Sequence, residues 1–135
     1  MPSPQALFDI QPQLATPIYR QVVEQVQRLV AGGQLAPGDE LPSVRTVAER
    51  HAINPMTVSK AYSLLEAEGL LERRRGMGMV VAAGVPAAGA AGDRLALLTP
   101  ALINAARQAA QLGIAPEAAL AAFEGLLQQD PKEMP

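Results

Sequence analysis

Residues 43–69, SVRTVAERHAINPMTVSKAYSLLEAEG, carry two helix starts and a helix stop in one short span, and this constrains the fold more than any other feature. Ser43 can cap a short helix, VRTVAERHA, with Val44, Val47 and Ala48 turned inward. Asn54 and Pro55 fit the N-cap and first position of a second helix, and Gly69 fits the position just past its end. Val58, Ala61, Tyr62 and Leu65 recur at helical spacing and define the buried stripe of that second helix. The pattern is a helix, a short turn and a helix.

The second helix is chemically asymmetric. Its first turns offer Met56, Thr57, Ser59 and Lys60, mostly off the apolar stripe, while Glu66 and Glu68 fall in the last turn, where the helix dipole disfavours acids. Such a set suits a helix that enters a DNA major groove by its N-terminal end: a contact for a thymine methyl, two hydroxyls, and a cation for phosphate or guanine. An ordinary solvated helix surface accounts for the same four residues.

The flanking segments favour the first reading. Upstream, Thr16-Pro17 opens the helix TPIYRQVVEQVQRLVAGG, in which Ile18, Val22, Val26 and Val30 form a stripe widened by Tyr19, Val23 and Leu29, and Gly32-Gly33 ends it. LAPGDELP follows as a Pro-Gly turn without helical period. Downstream, LLERRRGMGMVV reads as two short strands around a tip at Arg75 to Gly78. Arg73, Arg74 and Arg75 place three cations at this hairpin, and Gly76 and Gly78 let the backbone approach a phosphate or groove closely. Arginines that keep a hairpin edge in solution are the plainer account. Arg45 sits in the first turn of its helix, where a cation is unfavourable, so a partner is expected: a phosphate or base, or else Asp39, Glu40 or Glu49. The fold expected is mainly α with a β-hairpin wing, a winged helix-turn-helix over residues 1–81.

Residues 82–92, AAGVPAAGAAG, are suited to a linker. In residues 93–135, Leu95, Leu98, Leu102, Ala106, Ala109 and Ala110 suggest a helix ending at Gly113, with Pro100 either inside it or at its true start. Pro116 opens another helix that carries Leu120, Phe123 and Leu127 on one face. Two short amphipathic helices are marginal alone, so they must pack on the first domain or on a second copy.

The net charge of −2 argues against nucleic acid only until it is divided by position, since phosphate is met by a local patch. Residues 1–80 hold as many Lys and Arg as Asp and Glu, and the acidic excess lies beyond them. The absence of cysteine removes thiol catalysis and thiolate metal sites and agrees with a reducing cytoplasm. MPSPQALFDIQPQ lacks the pattern of a signal peptide, and no apolar run is long enough to span a membrane, so a soluble chain is expected. The one histidine, His51, closes the first motif helix, where a cation complements the dipole. No phosphate loop or metal-ligating motif occurs, so neither an enzyme, nor a metal, nor a cofactor is expected.

PIYRQV, then L.PG..LPSVR..A, then N..TV..AY..LE.EGL, then RGMGMVV stand here in an order and spacing that closely resemble the DNA-binding domain of the GntR family of bacterial transcription regulators. The match covers roughly residues 14–81, and the short tail resembles the YtrA-type subfamily. The resemblance implies a winged helix-turn-helix that binds double-stranded DNA, in which Arg45 of LPS.R and Thr57 of TV contact DNA and Gly76 and Gly78 approach the minor groove. Beside these, Ser43, Asn54, Met56, Ser59, Lys60, Arg73, Arg74 and Arg75 are expected DNA contacts from the residues themselves. The subfamily resemblance implies two C-terminal dimerisation helices and no large ligand-binding domain; the apolar periodicity makes Leu95, Leu98, Leu102, Leu120, Phe123 and Leu127 the expected dimerisation residues. Pro55, Met56 and Ser59 depart from the family pattern and imply fewer charged contacts from this helix. A homodimeric regulator on a palindromic operator, most simply a cytoplasmic repressor, is the function expected. A winged helix that binds an acidic protein, and an architectural DNA binder, are the competing classes.

Overall fold

The computed structural model describes residues 8–84 and 91–129. Their elements run α1 (Ile18–Ala31), α2 (Val44–His51), α3 (Pro55–Ala67), β1 (Leu71–Arg74), β2 (Gly78–Val81), α4 (Ala91–Gln111) and α5 (Pro116–Leu127). The chain divides into two compact units, residues 1–94 and 95–135.

The first unit holds the hydrophobic core. The stripe of α1 supplies Val22, Val23, Val26 and Val30, α2 supplies Val47 and Ala48, and α3 supplies Val58, Ala61, Tyr62 and Leu65. Leu71, Met79 and Val81 of the hairpin close it. Fully burying one such aliphatic side chain is worth roughly 1.5–3 kcal/mol, so truncating the wholly buried Leu65 is among the most damaging single changes.

Caps fix the helix boundaries. Ser43 Oγ accepts the Thr46 N–H at 3.0 Å, and Asn54 Oδ1 accepts the Met56 N–H at 2.8 Å, with Pro55 in the first turn. At the far end of α3, Gly69 takes φ +84°, and the Leu70 N–H reaches back to the Leu65 carbonyl. Helix α2 ends in the same way, except that its left-handed residue is Ala52, at φ +53°. The Ile53 N–H there bonds the Ala48 carbonyl at 3.0 Å.

Three features differ from the sequence reading. Helix α1 begins at Ile18 with Pro17 as its N-cap and no side-chain cap, and Thr16 stands outside it with its carbonyl accepting from the Gln21 side chain. LAPGDELP is more than a turn: Leu41 N–H bonds Met79 O, Val81 N–H bonds Asp39 O, and Glu40 bridges to Val80, so this segment covers the free edge of β2. Finally, Phe8 is buried in the core, and residues 8–16 are strapped along α1 by two glutamines.

The expected linker falls partly on residues 85–90, which lie outside the described residues, as does the start of the N-terminal stretch read for a signal peptide. Its last two positions are helical, since α4 starts at Ala91 and runs on through Pro100. Thr99 Oγ1 donates to the Leu95 carbonyl one turn back. Helix α4 ends at Gln111 and closes at the expected glycine: Gly113 takes φ +71°, and the Ile114 N–H bonds the Ala109 carbonyl. Pro116 starts α5 without a side-chain cap. No described residue from 95 to 129 is buried.

Candidate nucleic-acid interface

The capped start of α3 sets the geometry of the candidate site. With Val58, Ala61, Tyr62 and Leu65 buried, Met56, Ser59, Lys60 and Ser63 recur at i, i+3, i+4 and i+7 as the outward face. Met56 is 73% exposed, so its side chain is available to a partner on this face. Ser63 was not singled out from the sequence, although its spacing from Met56 and Ser59 places it on this face. Thr57 is only half-exposed, nearer the core than the other three. Asn54 and Ser43 are exposed, but their side-chain oxygens are already engaged as caps, and the Ser43 hydroxyl also donates to Thr46 Oγ1 at 2.8 Å.

The partner of Arg45 within the fold is Glu49, one turn along α2, at 3.0 Å. Both side chains are largely exposed, so this pair is weak and the guanidinium remains free to exchange it for an anion. Arg50 and His51 follow at the end of α2 and, with Thr46 and Glu49, line a shallow open depression. Burial and the Arg50 cation hold the His51 pKa below its ordinary value against a weaker opposing pull from Asp9, so the ring is neutral near pH 7. The cation that complements the α2 dipole in this last turn is Arg50, and backbone bonds around Ala52 close the helix end.

In the wing, β1 and β2 pair antiparallel with Arg74 opposite Gly78, leaving Arg75, Gly76 and Met77 as the tip. The Met77 N–H closes a turn onto the Arg74 carbonyl at 3.1 Å, and Gly76, third in that turn, takes φ +82°. Gly78 follows at φ +78°, so both glycines sit where a side chain would be strained. The three arginines are not equivalent. Arg74 binds Glu72 through Nε and Nη2 at 3.1 and 2.9 Å, while Arg73 and Arg75 are exposed with no carboxylate partner among the described residues.

Lys60 is held as well: its ammonium lies 3.9 Å above the centroid of the Tyr19 ring, on α1. Among the described residues it forms no salt bridge, and Glu68, the C-cap of α3, accepts from Gln27. The six candidates of the tail lie on α4 and α5: Leu95, Leu98, Leu120, Phe123 and Leu127 are exposed and Leu102 is half-exposed. No helix among the described residues is long and apolar enough to cross a membrane.

Residues 18–81 match the family of bacterial regulatory proteins known as the gntR family. The chain is 47% identical over 75 residues to the HTH-type transcriptional repressor YtrA of Bacillus subtilis (strain 168), an alignment that takes in 56% of this chain and 58% of that protein. Among solved structures, it is similar to a transcriptional antiterminator from Listeria monocytogenes EGD-e (TM-score 0.60, 29% identity, 92% of both chains). It is similar also to YtrA from Sulfolobus acidocaldarius, a GntR-family transcription factor, with a TM-score of 0.53 at 27% identity over 89% of this chain and 96% of that one. The capped helix-turn-helix, the glycine wing and these similarities agree: the chain carries a winged helix-turn-helix domain of the GntR family of bacterial regulatory proteins, and it is similar to YtrA members of that family.

Proposed function

We propose that this protein is a sequence-specific DNA-binding transcription regulator, acting in the bacterial cytoplasm as a homodimeric repressor on a palindromic operator. The observation that carries the reading is the outward face of α3. It presents Met56, Ser59, Lys60 and Ser63 with no acid until Glu66, flanked by the positive-φ wing and its free Arg73 and Arg75. In the bound state the N-terminal half of α3 lies in the major groove, where Met56 packs on a thymine methyl and the hydroxyls of Ser59 and Ser63 hydrogen-bond base edges. Arg45 exchanges Glu49 for phosphate or base, and the wing arginines meet phosphates across a groove. Repression is proposed by analogy with the B. subtilis relative, which is named a repressor.

The dimer rests on the second unit. Leu95, Leu98, Leu120, Phe123 and Leu127 leave a long apolar surface in water, more than a lone pair of helices tolerates. Self-association buries it and yields the two-fold symmetry that a palindrome requires. The test is selection of bound sequences from random duplex DNA, followed by titration over a range of salt. An enriched inverted repeat, bound with a steep salt dependence, is the expected result; recovery of no common sequence would remove specificity from the reading.

A further inference from the structure

Lys60 stands on the DNA-facing helix, yet it is tied sideways to a different helix. Its ammonium sits 3.9 Å over the ring of Tyr19, in the first turns of α1. A cation over an aromatic face keeps its full charge while losing much of the rotational freedom of a free lysine. The neighbourhood leaves that charge available. Among the described residues the ion pairs are Arg45–Glu49 and Arg74–Glu72, and the Glu68 carboxylate is engaged by Gln27 at 3.0 Å. Arg20, next to Tyr19, is exposed and likewise has no carboxylate partner among the described residues.

A lysine drawn toward α1 is poorly placed to reach a base edge at the centre of the groove that α3 occupies. It is well placed to meet the phosphates along the groove margin. We infer that Lys60 is a phosphate anchor and not a base reader, and that Tyr19 is the positioning residue that holds its ammonium at the strand. This inference deepens the DNA-binding reading above and rests on it. The phosphate replaces none of the ring contact: the ammonium keeps the ring on one side and meets the anion on another, with three N–H donors to share.

The experiment uses the full chain with Tyr19→Phe, Tyr19→Leu, Lys60→Ala and the Tyr19→Leu/Lys60→Ala pair. Each is titrated against a selected operator duplex and an unrelated duplex across salt. Lys60→Ala is expected to weaken both duplexes by the same factor and to reduce the salt slope by about 0.9, the signature of one phosphate. Tyr19→Leu is expected to weaken both by about two- to fivefold, the size of an exposed cation–π contact, while Tyr19→Phe keeps wild-type binding. Added to Lys60→Ala, Tyr19→Leu is expected to cause no further loss, because its effect runs through the lysine. Proton NMR of the free proteins supplies a readout independent of DNA. The Lys60 ε-methylene signal is expected upfield from the ring current, and to return to its ordinary position in Tyr19→Leu or, should that variant unfold, in Tyr19→Gln.

Additive losses in the pair, an unshifted Lys60 signal, or a changed base preference in Lys60→Ala would overturn the inference while leaving DNA binding intact. A wild-type protein that binds no duplex would overturn both.

Discussion

The hydroxyl of Tyr62, on α3, donates to the carbonyl of Pro42 at 2.7 Å, just ahead of the Ser43 cap that starts α2. The two helices of the motif are thus joined by a buried hydrogen bond as well as by apolar packing, and Arg45 is held in a fixed relation to the face of α3. Burial raises the Tyr62 pKa far above that of a free phenol.

Tyr62→Phe leaves the buried Pro42 carbonyl without this donor and is expected to cost about 1–3 kcal/mol of stability. The pH dependence carries a definite sign. The folded state keeps the phenol proton while the unfolded chain loses it near its ordinary pKa of about 10, so stability is complete below that pH and declines as pH rises above it. Denaturant melts of both proteins between neutral pH and the alkaline range check this: Tyr62→Phe should be less stable at neutrality and flatter above pH ~10.

Ala52 is the one non-glycine residue at positive φ among the described residues, in the turn between α2 and α3. The left-handed conformation costs an L-residue roughly 1–2 kcal/mol, partly offset in glycine by lost chain entropy, so Ala52→Gly is expected to stabilise by about 0.5–1 kcal/mol. A higher urea midpoint at unchanged slope is the expected observation.

The helices were legible because their boundaries are written locally. Ser43, Asn54-Pro55 and Gly69 act on neighbours within a turn, and the stripe from Val58 to Leu65 needs only helical period. The N-terminal strap was not legible. It is held by Gln25, whose carboxamide takes the Asp9 N–H and carbonyl at 2.9 and 2.6 Å, and by buried Gln21, which bonds Gln11 twice and Thr16 once. A glutamine in an amphipathic helix reads as solvent-facing, and these contacts bridge 10 and 16 residues of sequence. The available signal was position: Gln21, three residues after Ile18 and beside Val22, lies on the buried stripe. The unequal standing of the wing arginines lay in the strand period: Glu72 and Arg74, two residues apart on β1, share a face and pair, while Arg73 points to the other face.

That inequality gives a prediction for the wing. Arg73→Ala and Arg75→Ala are each expected to weaken binding to all duplexes alike and to reduce the salt slope by up to about 0.9, and Arg74→Ala by less. Glu72→Gln frees Arg74 and is expected to strengthen binding to every duplex. Equal slopes for all three alanine variants, or an effect confined to one sequence, would show that the wing works otherwise.

A chain ending at Gly84 keeps every residue of the first unit that is buried among the described residues, and with them the Ala82 N–H bond to the Leu70 carbonyl. It is expected to fold, to sediment as a monomer at concentrations where the full chain is a dimer, and to bind one half-site weakly. The full chain, as the proposed dimer, is expected to gain a factor of roughly 10²–10⁴ from the effective concentration of linked sites. Analytical ultracentrifugation beside a binding titration measures both quantities.

Two copies of the α2–α3–wing surface are proposed to read an inverted repeat, with recognition helices one DNA turn, about 34 Å, apart. The most direct test is the stoichiometry and affinity of the full chain on the selected palindrome, against the same duplex with one half-site scrambled. Two protomers per palindrome and a sharp loss of affinity on the scrambled duplex are expected. One protomer per palindrome, or equal affinity for the two duplexes, would contradict the proposal.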